Sequence, residues 1–130
     1  MSEQPYFDPS GETSDEPGRW VTVSELGTLN PLPGLIFRPV TSDAVMTNFV
    51  TFEPNAPAPM HHHYEQQIAI VLSGELTFTV GEETRLMKAG DLVVIPSHVP
   101  HGGVGGPDGC EVLDVFAPPR EQIVALMASS

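Results

Sequence analysis

The stretches HHHYEQQIAIVLSG, residues 61–74, and GDLVVIPSHVPH, residues 90–101, hold all 5 histidines of the 130-residue chain. Side chains two apart on a strand share a face, so His61 and His63 point one way and His62 the other. The same parity carries Glu65 and Gln67 onto the face of His61 and His63. His101 follows the strand-like run 91–95, apolar from Leu92 on, which Pro96 ends, so a second strand can bring a third imidazole to the same point. Imidazole is the commonest protein ligand for divalent first-row metals, and Gln67 would add a carbonyl oxygen. Glu65 would replace Gln67 if the strand bulges between them. Three neutral histidines and a neutral amide leave the full charge on the ion, which favours Lewis-acid polarisation of a carbonyl or enolate. The competing reading is a chance polar run on an exposed edge, with His98 and His101 hydrogen-bonded to loop backbone.

Outward from these stretches the chain reads as short β-type runs broken by Gly and Pro. Strands are predicted at 20–23, 35–37, 45–52, 66–72, 75–80, 84–87, 91–95 and 111–116, a spacing that indicates an all-β sandwich or barrel. Turns are expected at Ser73-Gly74, Gly81-Glu82-Glu83 and Ala89-Gly90-Asp91. Gly102 to Gly106 reads as a flexible loop; it lacks the following helix and the Lys or Ser/Thr of a phosphate cradle. Residues 120–128 follow Pro118-Pro119 and read as a helix covering one open end of the β structure.

The 17 acidic and 5 basic residues give a formal charge of -12. That balance argues against nucleic acid and anionic membrane surfaces as partners. Residues 1–18 carry five acids among three prolines and two glycines and are expected to form a flexible arm, with one domain over 19–130. Tyr6, Phe7 and Trp20 would let the arm pack on the domain or bridge to a second copy, and a homodimer is expected. The single Cys110 has no second thiol to pair with. Neither a secretory leader nor a membrane span is legible, so the expected location is cytoplasmic.

The two stretches resemble the two-part signature of the cupin superfamily. His61-x-His63, three residues, Gln67, six residues, Gly74 matches the first motif; Gly90, five residues, Pro96, then His98 and His101 matches the second. The 15 residues between Gly74 and Gly90 are similar to the short spacer of small bacterial cupins. The resemblance implies a double-stranded β-helix, or jelly-roll barrel, with a short C-terminal helix and one divalent transition metal (Zn, Ni, Mn or Fe) held by His61, His63, Gln67 and His101. Gln67 departs from the usual Glu, and His98 stands where Gly or Asn is frequent.

Asp114-Val115-Phe116-Ala117-Pro118-Pro119-Arg120-Glu121 further resembles the KdgF family, whose members open 4,5-unsaturated uronic acids to linear keto sugars. The resemblance implies a small-molecule substrate, with Asp114 as the catalytic carboxylate and Phe116 and Arg120 at the pocket wall. Asp114 would otherwise make a structural pair with Arg38 or Arg120, and Arg120 would otherwise cap the terminal helix. Tyr64 and Glu65 are candidates for the layer behind the ligands. Three further readings stay open: a cupin-type aromatic polyketide cyclase, an Fe(II) dioxygenase, and a non-catalytic small-molecule-binding cupin. Phe37, Met46, Phe49 and Val71 pointing inward would suit the cyclase.

Overall fold

The computed structural model describes residues 5–130. The first four residues of the acidic arm lie outside it. Two 3-10 turns, Pro5–Phe7 and Val23–Glu25, precede seven strands and one helix: β1 Leu35–Thr41, β2 Met46–Phe52, β3 Pro57–His61, β4 Gln66–Val80, β5 Glu83–Lys88, β6 Leu92–Ile95, β7 His101–Ala117 and α1 Glu121–Ser129. Every pairing is antiparallel, in the order β1-β2-β7-β4-β5, with β3 on β7 and β6 on β4. This is the expected jelly roll.

Two strands do most of the joining. The first half of β4 pairs with β6 and the C-terminal half of β7; its second half pairs with β5 and the N-terminal half of β7. The sequence predicts two strands split by a turn at Ser73-Gly74, but the structure has one strand with a bulge there. Gly74 adopts φ +74, and a Cβ on it would meet the Gly109 carbonyl oxygen. The glycine serves a bend against β7, not a chain reversal.

The Gly102 to Gly106 segment is likewise strand, part of β7, and not the expected loop. A Cβ on Gly102 would come within 2.8 Å of the Ala58 carbonyl oxygen, and one on Gly103 within 2.8 Å of that of Thr77. Here glycine permits close approach of neighbouring strands. β3 is not among the predicted strands, and its Pro57 and Pro59 disfavour a central ladder. It is an edge strand paired only with β7, where prolines are tolerated, and it sets His61 opposite His101. Residues 20–23 form no strand: Trp20 is 98% exposed and the chain turns at Val23–Glu25.

Alternation along β2 buries Met46, Asn48, Val50 and Phe52, and along β4 it buries Gln67, Ala69 and Val71. The main core gathers Leu35, Val50, Phe52, Val71, Leu76, Ile95 and Val112. A smaller cluster of Met46, Phe116 and Ile123 seats α1 over the end of the sheet. Cys110 is buried in the main core, and burial pushes its thiol up to about 11. Among the described residues no helix is long and apolar enough to cross a membrane.

Candidate functional site

His61 ends β3, His101 begins β7, and His63 lies in the turn before β4, of which Gln67 is the second residue. The parity that predicts a shared face therefore runs through residues 62–65, which are not strand. The three imidazoles nevertheless converge: one ring nitrogen from each of His61, His63 and His101 lies within 4.8 Å of the others.

Backbone carbonyls set the tautomers. His61 Nδ1 donates to Pro59 O at 2.8 Å, His63 Nδ1 to Glu65 O at 2.9 Å, and His101 Nδ1 to Val99 O at 2.8 Å. Each ring thus keeps its proton on Nδ1 and offers Nε2 as a lone pair. His101 Nε2 is buried and has no partner among the described residues. His63 Nε2 faces Gln67 Oε1 at 3.1 Å, two acceptors with no proton between them. The amide is held in that orientation because Gln67 Nε2 donates to Asp114 Oδ1 at 2.8 Å. Acceptors gathered on one point, with one of them orphaned, form a donor set that fits a divalent cation.

Electrostatics favour the neutral form of the His63 and His101 rings. Burial lowers the His101 pKa to about 4, with His61, His63 and Arg120 adding to the effect against the Val99 carbonyl. His63 is lowered chiefly by burial and then by Arg120. Neutral imidazole is the form that ligates a metal.

Glu65 does not join the convergence. Its carboxylate is 3.6 Å from His63 Nδ1, on the far side of that ring, and 3.7 Å from Arg120 Nε, and it accepts from Glu121 N at 3.4 Å. It sits behind His63 and at the start of α1. Tyr64 is exposed and faces His98, which takes φ +64, the left-handed conformation. His62 points away from the triad, with Nδ1 3.1 Å from His98 Nδ1.

The triad opens on a cavity of about 340 Å³ whose wall includes Gln67, Asp114, Phe116 and Arg120. Asp114 is half-buried in that wall. Desolvation pushes its carboxyl up to about 7, against the Gln67 hydrogen bond and the Arg120 charge, which both hold it down. Arg38 plays no part: it donates to Thr51 on the other face of the sheet. The Arg120 guanidinium carbon lies 5.5 Å from the centroid of Phe116, and its Nε is buried without a hydrogen bond. Phe116 in turn meets the edge of His63, with ring centroids 5.7 Å apart.

Asn48 also lines the cavity and was not singled out from the sequence. The available signal was a polar residue in the inward slots of an apolar strand, between Met46 and Val50.

The sequence pattern of the family described as "Cupin domain" matches residues 48–116. The chain belongs to the cupin family. Over 80 residues it is 32% identical to the pectin degradation protein KdgF of Dickeya dadantii (strain 3937), covering 61% of this chain and 73% of that protein. The solved structure of KdgF from Halomonas sp. superposes with a TM-score of 0.78 at 27% identity, covering 82% of this chain and 99% of that one. A 50-residue segment is 48% identical to the H2HPP isomerase of Bacillus subtilis, spanning 38% of this cupin and 21% of that enzyme. This chain is thus a KdgF-like cupin, with one relative named as an isomerase.

Proposed function

We propose that this cupin is a metal-dependent enzyme that moves a proton on a small acid bearing an enolisable carbonyl, in an isomerisation or ring opening. The observation that carries the reading is the Gln67 to Asp114 hydrogen bond, which fixes a carboxyl of pKa about 7 beside the histidine triad in a cavity that also holds Arg120. His61, His63, His101 and Gln67 Oε1 would hold one divalent transition metal. When bound, that ion supplies Lewis-acid polarisation of a substrate oxygen.

Asp114 Oδ1 accepts from Gln67, which leaves Oδ2 to take and return the substrate proton. A carboxyl poised near neutrality suits both directions of transfer. Arg120 offers donors to the substrate carboxylate and is steadied by Phe116 and Glu65. The likeness to KdgF supports an unsaturated uronate as substrate.

A second reading has its own observation. Of the four residues whose inward placement would suit a polyketide, Phe37 lines the cavity; Met46 lies beneath α1 and Val71 in the main core, while Phe49 alternates to the opposite face of β2. Leu35, Val50, Phe52, Leu76 and Phe78 line it instead, so its walls are mostly apolar and favour a keto acid with an apolar body. NMR-monitored turnover by metal-loaded and metal-stripped protein, on unsaturated uronates and on ring-bearing keto acids, separates these readings. Turnover that needs both metal and Asp114 supports an isomerase. Consumption of oxygen supports a dioxygenase, and tight binding of both compounds without turnover supports a binding cupin.

We also propose a second copy of the chain as partner, on the outer face of the sheet. Phe49, Leu113, Ile70 and Leu92 form one row across β2, β7, β4 and β6, and Val115, Ile68 and Val94 continue in the next. None of these seven is charged, so two copies at -12 can approach there without direct repulsion. Strand and residue spacings give a footprint of about 230 Å² per copy. Stable pairs bury about 800 Å² per partner. The exposed Tyr6, Phe7 and Trp20 are the chain's own means of supplying the difference.

A further inference from the structure

Asn48 occupies an inward position of β2, with Met46 before it and Val50 after, and none of its surface reaches solvent. Among the described residues neither Oδ1 nor Nδ2 has a hydrogen-bond partner. A primary amide carries two donor hydrogens and an acceptor oxygen, and burying all of them unpaired opposes folding. Gln67, two strands away on the same inner face, shows the contrast. Its Nε2 donates to Asp114 Oδ1, while its Oε1 joins the acceptors gathered at the triad.

Register sets Asn48 directly opposite Asp114, which pairs on its other side with Ala69, the residue two beyond Gln67. Directly opposed residues hold their Cβ atoms about 5 Å apart. The inner face therefore reads Gln67, Asp114, Asn48 from the triad outward, and all three line the same cavity. Arg120 lines it too, with its Nε turned toward Glu65 Oε1 at 3.7 Å. An amide left unpaired beside that carboxyl, on the cavity that also holds the guanidinium, has one explanation: its partner arrives with a ligand.

We propose that Asn48 is a specificity-determining substrate-binding residue, which takes a hydroxyl or enol oxygen next to the carbon at which Asp114 works while Arg120 takes the carboxylate. A hydroxyl accepts from Nδ2 and donates to Oδ1, whereas a plain ketone satisfies only the donor. The ligand class is a small acid with a hydroxyl or enol close to its carboxylate. This deepens the proton-transfer reading and rests on it for the role of Asp114, but its test needs no turnover.

Lactate and propionate, which differ by one hydroxyl, are titrated into the metal-loaded full chain while the side-chain amide signals of Asn48 are followed by nitrogen-proton NMR. Those signals are assigned by their absence in Asn48→Leu, a variant of similar shape with no polar atoms. The expected result is that lactate moves the Asn48 amide signals and propionate does not, with a preference for lactate of at least tenfold in Kd that Asn48→Leu abolishes. The same variant should keep its metal content and melt at or above the wild-type temperature, since it removes an unpaired amide. Amide signals unmoved by lactate overturn the proposal. So does an Asn48→Leu chain that binds both acids as wild type does, whether or not it has lost stability. Loss of catalysis in every assay, with the amide response intact, would sink the proton-transfer reading and leave Asn48 as a ligand-binding residue.

Discussion

The sheet formed by β2, β7, β4 and β6 has its chemistry the wrong way round for a monomer without a ligand. Across its inner face run Asn48, Asp114 and Gln67; across its outer face run Phe49, Leu113, Ile70 and Leu92. Side chains of one strand alternate between the two faces, so the same four strands carry both sets. Buried polar groups cost free energy unless they find partners, and contiguous exposed apolar surface marks contact sites. The inner face fits the proposed small-molecule site and the outer face the proposed contact between copies. Changing each face should therefore remove a different property.

The largest effect is expected at the mouth of the inner face. Changing His61 and His101 together to Ala removes two of the three Nε2 donors. Stoichiometric metal by elemental analysis should fall to background, and retention of metal would break the triad reading. Next comes Asp114→Asn, which keeps the side-chain shape and leaves the triad in place. Metal content should be unchanged while turnover falls by about 10²- to 10⁴-fold, the usual range for a general acid-base group. A variant that stays active would move the proton chemistry elsewhere.

Much of this inner face was legible beforehand. His61, His63, Gln67 and His101 followed from two spaced motifs, and the antiparallel all-β class followed from short runs between Gly and Pro. Long-range approach hid the rest. Gly74 looks like a turn residue until β7 is seen lying against it, and Gly102 and Gly103 look flexible until β3 and β4 press on them. Glu65 shares the parity of the ligands, but β3 stops at His61 and the intervening turn rotates it behind His63. The Asp114 to Gln67 bond and the place of Asn48 both depend on the register of β7 with its neighbours, which no local pattern encodes.

The outer face gives a smaller effect. Leu92 and Val94 are 56% and 60% exposed on β6, so Lys at both positions should leave the fold and the metal intact. Light scattering should then report a monomer at concentrations where the wild-type chain is expected to give the mass of a dimer. Equal mass for both proteins would remove the outer face as a contact between copies.

The smallest expected effect tests why the inner face uses an amide where a carboxylate would bind a cation more strongly. Gln67→Glu places a second carboxyl next to Asp114, at a position where Gln67 Nε2 now donates at 2.8 Å. Two carboxylates that close cannot both ionise cheaply, and Asp114 loses the hydrogen bond that holds its pKa down. With metal bound, the introduced carboxylate keeps its negative charge and Asp114 the proton, so Asp114 is driven further above about 7. A competition titration should show roughly tenfold tighter metal, about 1.4 kcal/mol. The rising limb of the turnover profile should move to higher pH, because the base form of Asp114 then appears later. If metal tightens and the profile stays put, Gln67 serves the ion alone; if the profile moves without tighter metal, Gln67 serves Asp114 and not the ion.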